Sequence, residues 1–175
     1  MTVFTIGHST RDIEAFLALL RGAGVDCVAD VRRFPVSRRH PQFNGETLAG
    51  ALADADIGYL HFPALGGRRG ASAGSSPHTL WREPSFRNYA DYAETAAFRG
   101  GFAVLLRLAR ERRVAVMCAE AVWWRCHRRI IADYLIAAGS EVAHILDGRI
   151  EPAALTPDAT VRPDGSILYR APSLF

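Results

Sequence analysis

The chain has 175 residues, 49% of them apolar and 22% charged, with a formal net charge of +3. That length buries a sizeable core without disulfide or metal staples, and the balance is that of a folded, water-soluble protein. The modest charge excludes a protein that wraps nucleic acid by bulk electrostatics, so any anion recognition must be local.

Further classes fall away on inspection. The longest apolar runs, such as 130–138, are interrupted by Asp133 and are too short to span a membrane. His8, Arg11 and Asp12 break up the stretch where a signal peptide would carry its apolar centre. The expected compartment is therefore the cytoplasm, with no membrane partner. Three cysteines, an odd number, do not make a disulfide framework. Cys27, inside V-D-C-V-A-D-V, reads as a small core residue. All 21 basic residues are arginine, so every cationic contact is a planar, permanently charged fork suited to phosphate or carboxylate.

In chain order, Val3–Gly7 reads as a buried strand and ends in His8-Ser9-Thr10. Ile13, Phe16, Leu17 and Leu20 follow at helical spacing, with Ser9 and Asp12 resembling a capping box and Gly22 and Gly24 closing the helix. Val25–Val31 is a second strand. R-R-F-P-V-S-R-R-H-P-Q-F is then a loop fixed by Pro35 and Pro41, before an amphipathic helix at 46–55 and a strand at 58–62. Residues 64–85, rich in Gly, Ser and Arg, form a long loop of the kind that serves as a lid or is disordered. Helices are expected near 86–98 and 101–112, a strand at 114–118, a helix at about 125–138 and a fifth strand at 141–146. The tail, 148–175, contains Pro163-Asp164-Gly165 and is read as an irregular connection with a small strand or hairpin.

This alternation predicts an α/β fold: a mostly parallel central sheet of about five strands with helices on both faces, a three-layer sandwich. Residues 1–147 form a single domain in this reading, with 148–175 packed on it.

Ligands of parallel α/β sheets sit beyond the carboxyl ends of the strands. His8 and Ser9, Asp30 and Arg32, His61, Cys118 and Glu120, and His144 and Asp147 all fall at such ends. The densest cluster is C-A-E-A-V-W-W-R-C-H-R-R, residues 118–129. Arg125, Arg128 and Arg129 crowd a helix amino terminus, where the macrodipole disfavours positive charge unless an anion binds. The same position would lower the pKa of Cys126. Six residues separate Cys118 from Arg125, one too many for a cysteine-phosphatase loop. Cys118, Cys126 and His127 are metal-ligand types, and His8 or Glu120 could complete a tetrahedral set. No C-x-x-C pair accompanies them, and adjacent residues on a helix diverge, so no metal site is assigned. Trp123 and Trp124 could stack a base or cover the core. His40 and His78 read as solvent residues and His144 as a structural histidine.

The motifs T-I-G-H-S-T at 5–10, D-V-R at 30–32, P-x-S-R at 35–38, F-N at 43–44, L-G-G-R at 65–68, Y-A at 89–90 and C-A-E…C-H-R at 118–128 resemble, in order, the bacterial and archaeal domain of unknown function family 488. The resemblance covers about 3–147. It implies signature positions at Gly7, His8, Ser9, Asp30, Arg32, Pro35, Ser37, Arg38, Gly66, Gly67, Arg68, Cys118, Glu120, Cys126, His127 and Arg128, and no established reaction. Ala121-Val122-Trp123-Trp124-Arg125 departs from the polar or Pro-containing turn usual there.

The reading that follows is an enzyme acting on a phosphate-bearing substrate, a nucleotide or nucleic acid. Arg32, Arg38, Arg68 and Arg128 would clamp the anion, with Ser9, Ser37 and His127 beside them. Glu120, Asp30 or His8 would do acid–base work, and Cys118 or Cys126 would be the nucleophile. A non-catalytic nucleotide or nucleic-acid binding module, and a Cys/His metal or redox centre, are the alternatives. Cofactor, substrate and oligomeric state are left open.

Overall fold

A computed structural model describes residues 1–173; Leu174 and Phe175 lie outside the described residues. Its strands are β1 (Thr2–Gly7), β2 (Cys27–Asp30), β3 (Gly58–His61), β4 (Val114–Cys118), β5 (Glu141–Leu146), β6 (Arg149–Pro152), β7 (Ala159–Val161) and β8 (Ile167–Tyr169). The helices are α1 (Ile13–Gly22), α2 (Gly45–Asp54), α3 (Pro84–Tyr92), α4 (Ala96–Glu111) and α5 (Arg128–Ala137).

Six strands form one sheet in the order β3-β2-β4-β1-β5-β6. The first five are parallel, and β6 turns back antiparallel on β5. β2 and β4 are buried along their whole length, as expected of parallel strands covered on both faces. Alternation divides their side chains between two cores. Phe4, Ile6, Val28, Ala115 and Met117 pack with Phe16, Leu17 and Leu20 of α1 and Leu48 and Leu52 of α2. Val3, Cys27, Ala29, Val114 and Val116 face Phe98, Leu105 and Ala109 of α4 and Ile130, Ile131 and Leu135 of α5. The architecture is a three-layer α/β sandwich. Truncating a fully buried leucine such as Leu48 or Leu105 to alanine would cost about 2–5 kcal/mol.

Several boundaries differ from the sequence reading for identifiable reasons. Asp12, not Ser9, caps α1, its side chain accepting from the Ala15 amide; Ser9 sits in a left-handed turn at φ 51°. α4 begins at Ala96, before Gly101, because the Thr95 hydroxyl caps the Phe98 amide. Gly101 inside that helix lets Ala64 pack closely, since a Cβ there would lie 2.9 Å from the Ala64 methyl. α5 starts only at Arg128, after a 3-10 turn at Trp123–Arg125. The tail adds β6 to the sheet and folds β7 and β8 into a separate hairpin, its turn closed by Gly165 at φ 83°.

His78 is fully buried rather than solvated. Its Nδ1 accepts from the Tyr169 amide and its Nε2 lies 3.1 Å from Glu94. Segment 64–85 is tied to α3: Tyr89 and Tyr92 donate to the carbonyls of Leu65 and Ala64, and Ser72 and Ser76 donate to Asp91.

Candidate functional site

The carboxyl ends of the parallel strands open into a cleft of about 840 Å³. β1 delivers His8 and Ser9 to it, β2 Arg32 and Arg33, and β4 Cys118 and Glu120. The segments after β3 and before α5 add Gly67 and Arg68, and Arg125, Cys126 and His127.

The tips of β1 and β4 are laced together. The amides of His8 and Ser9 donate to the carbonyls of Cys118 and Ala119, each at 2.9 Å. The chains run so close that a Cβ on Gly7 would stand 1.7 Å from the Glu120 carbonyl oxygen. T-I-G-H and C-A-E therefore meet as one backbone crossing, and only glycine fits there.

At the end of β2, Asp30 is fully buried and saturated. It accepts from the amide, Nε and Nη2 of Arg32 (3.0, 2.9 and 2.6 Å) and from the Tyr59 hydroxyl (2.7 Å). Burial, with the Asp30 hydrogen bond adding to it, holds the Tyr59 phenol above its ordinary range. The remaining Arg32 nitrogen, Nη1, lies 3.3 Å from Nε2 of His8. Nδ1 of His8 faces the Ser9 carbonyl at 2.9 Å and must carry the ring proton, so Nε2 accepts from Arg32. The ring stacks on Phe43 at 4.3 Å. Burial pulls His8 down to about 4, against the Ser9 hydrogen bond, so it is neutral at pH 7.

The floor of the cleft is built on sulfur. Cys118 and Cys126 are buried, their sulfurs in contact and their Cα atoms 7.8 Å apart. That backbone separation is wider than a disulfide ordinarily spans, and the two cysteines meet face to face. Arg128, 1% exposed, turns inward between them. Its Nε donates to Cys118 at 3.1 Å and to Cys126 at 3.5 Å, its amide donates to Cys126 at 3.4 Å, and its Nη2 donates to the Glu120 carbonyl at 2.5 Å. Burial pulls this guanidinium down to about 9, repulsion from Arg11 adding to the effect and Glu120 opposing it. Among the described residues no carboxylate forms an ion pair with it. A buried cation needs compensation, and the groups its side chain donates to are the two sulfurs and the Glu120 carbonyl.

His127 completes the floor. Its Nε2 lies 2.9 Å from the Val31 carbonyl and so carries the proton, leaving the Nδ1 lone pair 3.6 Å from the Cys126 sulfur. Burial pulls His127 down to about 4, with the Val31 hydrogen bond opposing. Gly67 makes room for the ring, since a Cβ there would lie 2.9 Å from Nδ1. The expectation that Cys126 and His127 diverge on a helix is corrected here. Both precede α5, and Cys126 is extended (φ −127°, ψ 149°) while His127 is already helical (φ −57°, ψ −15°). The change of backbone between them turns both donors inward.

The rim is different in kind. Arg33, Arg39, Arg68 and Arg125 are exposed and line the cleft, and none takes part in an ion pair among the described residues. Phe34 and Val36 are 62% and 71% exposed beside them.

The cleft thus brings together His8, Ser9, Arg32, Ser37, Arg68, Cys118, Glu120, Cys126 and His127. Asp30 and Arg128 lie behind its surface, and Arg38 is exposed outside the lining, where Arg39 takes its place. Arg39 and Phe34 were not singled out from sequence, and Tyr89 entered only within the Y-A motif at 89–90; the doubled arginines at 32–33 and 38–39 were the available signal. The crowding of arginines at the start of α5 resolves three ways. Arg128 meets sulfur, Arg129 donates to the Thr156 hydroxyl and lies over Trp81, and Arg125 faces the cleft. Trp123 stacks on His144 at 4.4 Å while Trp124 is exposed.

A family model described as domain of unknown function DUF488 matches residues 12–135, a stretch holding the β4 side of the crossing at Glu120, the Asp30–Arg32 pair and the whole sulfur floor. The chain belongs to the DUF488 family. Comparison with curated proteins and with solved structures finds no match. Within this DUF488 chain, no helix among the described residues is long and apolar enough to cross a membrane.

Proposed function

We propose that the cleft is the active site of an enzyme acting on a phosphate-bearing substrate, a nucleotide or nucleic acid. The observation that carries this reading is the buried Arg128, whose Nε donates to both cysteine sulfurs at the floor of the cleft. Donation from a buried guanidinium favours the thiolate form of these cysteines, which lie beneath a rim of exposed arginines. Thiolates are the reactive form of cysteine, and arginine forks are suited to phosphate oxygens.

In this reading Arg68, Arg39, Arg33 and Arg125 hold the anion, and Arg32 and Ser9 approach it from the strand tips. Cys118 and Cys126 carry the chemistry. Glu120, exposed on the lining, is the group free to exchange protons, since both nitrogens of His8 and all sides of Asp30 are occupied.

The test is to incubate the protein with a panel of nucleotides and short oligonucleotides, measuring binding and turnover separately. Turnover that disappears in Cys118→Ala while binding persists, and binding that weakens in Arg68→Ala, is the expected result. Salt-sensitive binding with no turnover of any ligand would make the cleft a recognition module instead. A fully active Cys118→Ala variant would remove the sulfur pair from the chemistry.

A further inference from the structure

We propose that Cys118, Cys126 and His127 bind a zinc ion at the floor of the cleft, leaving its fourth position open to the cleft. The ion's catalytic role rests on the reading of the cleft as an active site; its presence does not.

Four observations point the same way. The two sulfurs and an imidazole nitrogen lie within 4.8 Å of one another. The 3.6 Å between Cys126 Sγ and His127 Nδ1 matches the edge of about 3.6 Å set by tetrahedral zinc with bonds of ~2.3 Å to sulfur and ~2.1 Å to nitrogen, while the two sulfurs, now in contact, would move apart to take the ion between them. The imidazole presents its lone pair to the sulfurs because its other nitrogen donates to the Val31 carbonyl, the outer hydrogen bond that metal-bound histidines use to fix their tautomer. The Arg128 amide and Nε donate to the sulfurs, which favours thiolates over thiols. Two thiolates and one imidazole select zinc over the hard cations magnesium and calcium.

Charge defines the fourth ligand. Two thiolates neutralise the dication, and Arg128 then leaves one positive charge unmatched. A hydroxide, or an oxygen of the anionic substrate, balances it. Zinc lowers the pKa of bound water toward about 7. The water's proton passes to Glu120, and the hydroxide oxygen bonds to the electrophilic atom of the substrate. The bond to the leaving group breaks with its electron pair, and that group takes the proton from Glu120. The sum is hydrolysis by one water.

Elemental analysis of protein purified without chelator should find about one zinc per chain, retained in Cys27→Ser and lost in Cys118→Ser and Cys126→Ser. Cobalt(II) added to chelator-stripped wild-type protein should give a thiolate-to-metal charge-transfer band, a readout that needs no folded cysteine variant. Absence of metal together with absence of that band, or zinc retained in folded cysteine variants, overturns the site. Nucleotide binding by the stripped protein, weakened in Arg68→Ala, would keep the anion-binding cleft standing even if the zinc site fell.

Discussion

The floor and the rim of the cleft are built from the same residue type under opposite conditions. Arg128 and Arg32 are buried and locked by their contacts: sulfurs and a carbonyl for one, a bidentate carboxylate and an imidazole for the other. Arg33, Arg39, Arg68 and Arg125 are exposed and without ion pairs among the described residues. Buried charge is stable only with its partners, so the floor is fixed by the fold. Exposed charge costs the fold almost nothing, so the rim is available for a ligand.

Substitutions should separate the two regions. The largest effect is expected at Gly7. Its alanine variant drives a methyl into the Glu120 carbonyl and should cost about 5 kcal/mol or more, enough to abolish folding. A Gly7→Ala protein with a wild-type Tm would mean the strand tips do not cross as described. Asp30→Ala strands a buried guanidinium and a tyrosine hydroxyl, and urea titration should show a loss of about 3–5 kcal/mol.

Acid should reach the base of the site next. Burial holds His144 at about 4, with Arg128 adding to the shift; its ordinary value is near 6.5. The unfolded chain therefore binds the extra proton first, and stability is full above about pH 6.5 and falls as pH drops toward 4. The loss from this group is at most about 3 kcal/mol, and His144→Gln should make the fall of the urea midpoint across that window shallower, the remainder coming from His8 and His127, which burial also holds at about 4. Smallest in stability is the rim. Arg39→Ala and Arg68→Ala should each shift ΔG by less than about 0.5 kcal/mol while weakening nucleotide affinity about tenfold. A rim variant that unfolds the protein would erase the distinction.

The sandwich was legible because strand and helix periods differ and the strands are short, apolar and regularly spaced. The sixth strand was not: R-I-E-P at Arg149–Pro152 is polar, and it joins the sheet through backbone pairing with β5 that its side chains do not announce. Asp30, Arg32 and Cys118 were visible as polar residues at strand ends, and Cys126 at the approach to the helix after β4. Their division of labour was hidden, because sequence cannot show that Asp30 is enclosed by Arg32 and Tyr59, or that Arg128 points inward. The Cys126–His127 pair was misjudged because the start of α5 was placed three residues early. His78 looked solvated among Pro and Ser, but its partners, Glu94 and Tyr169, lie far along the chain.

The Val31 carbonyl acts as a lever arm. It holds the imidazole of His127, and immediately after Arg32 the chain enters the segment bearing Arg33, Phe34, Val36 and Arg39. A ligand that pulls on this segment pulls on the same stretch of main chain that aims the ring, so occupancy above can be felt as aim below.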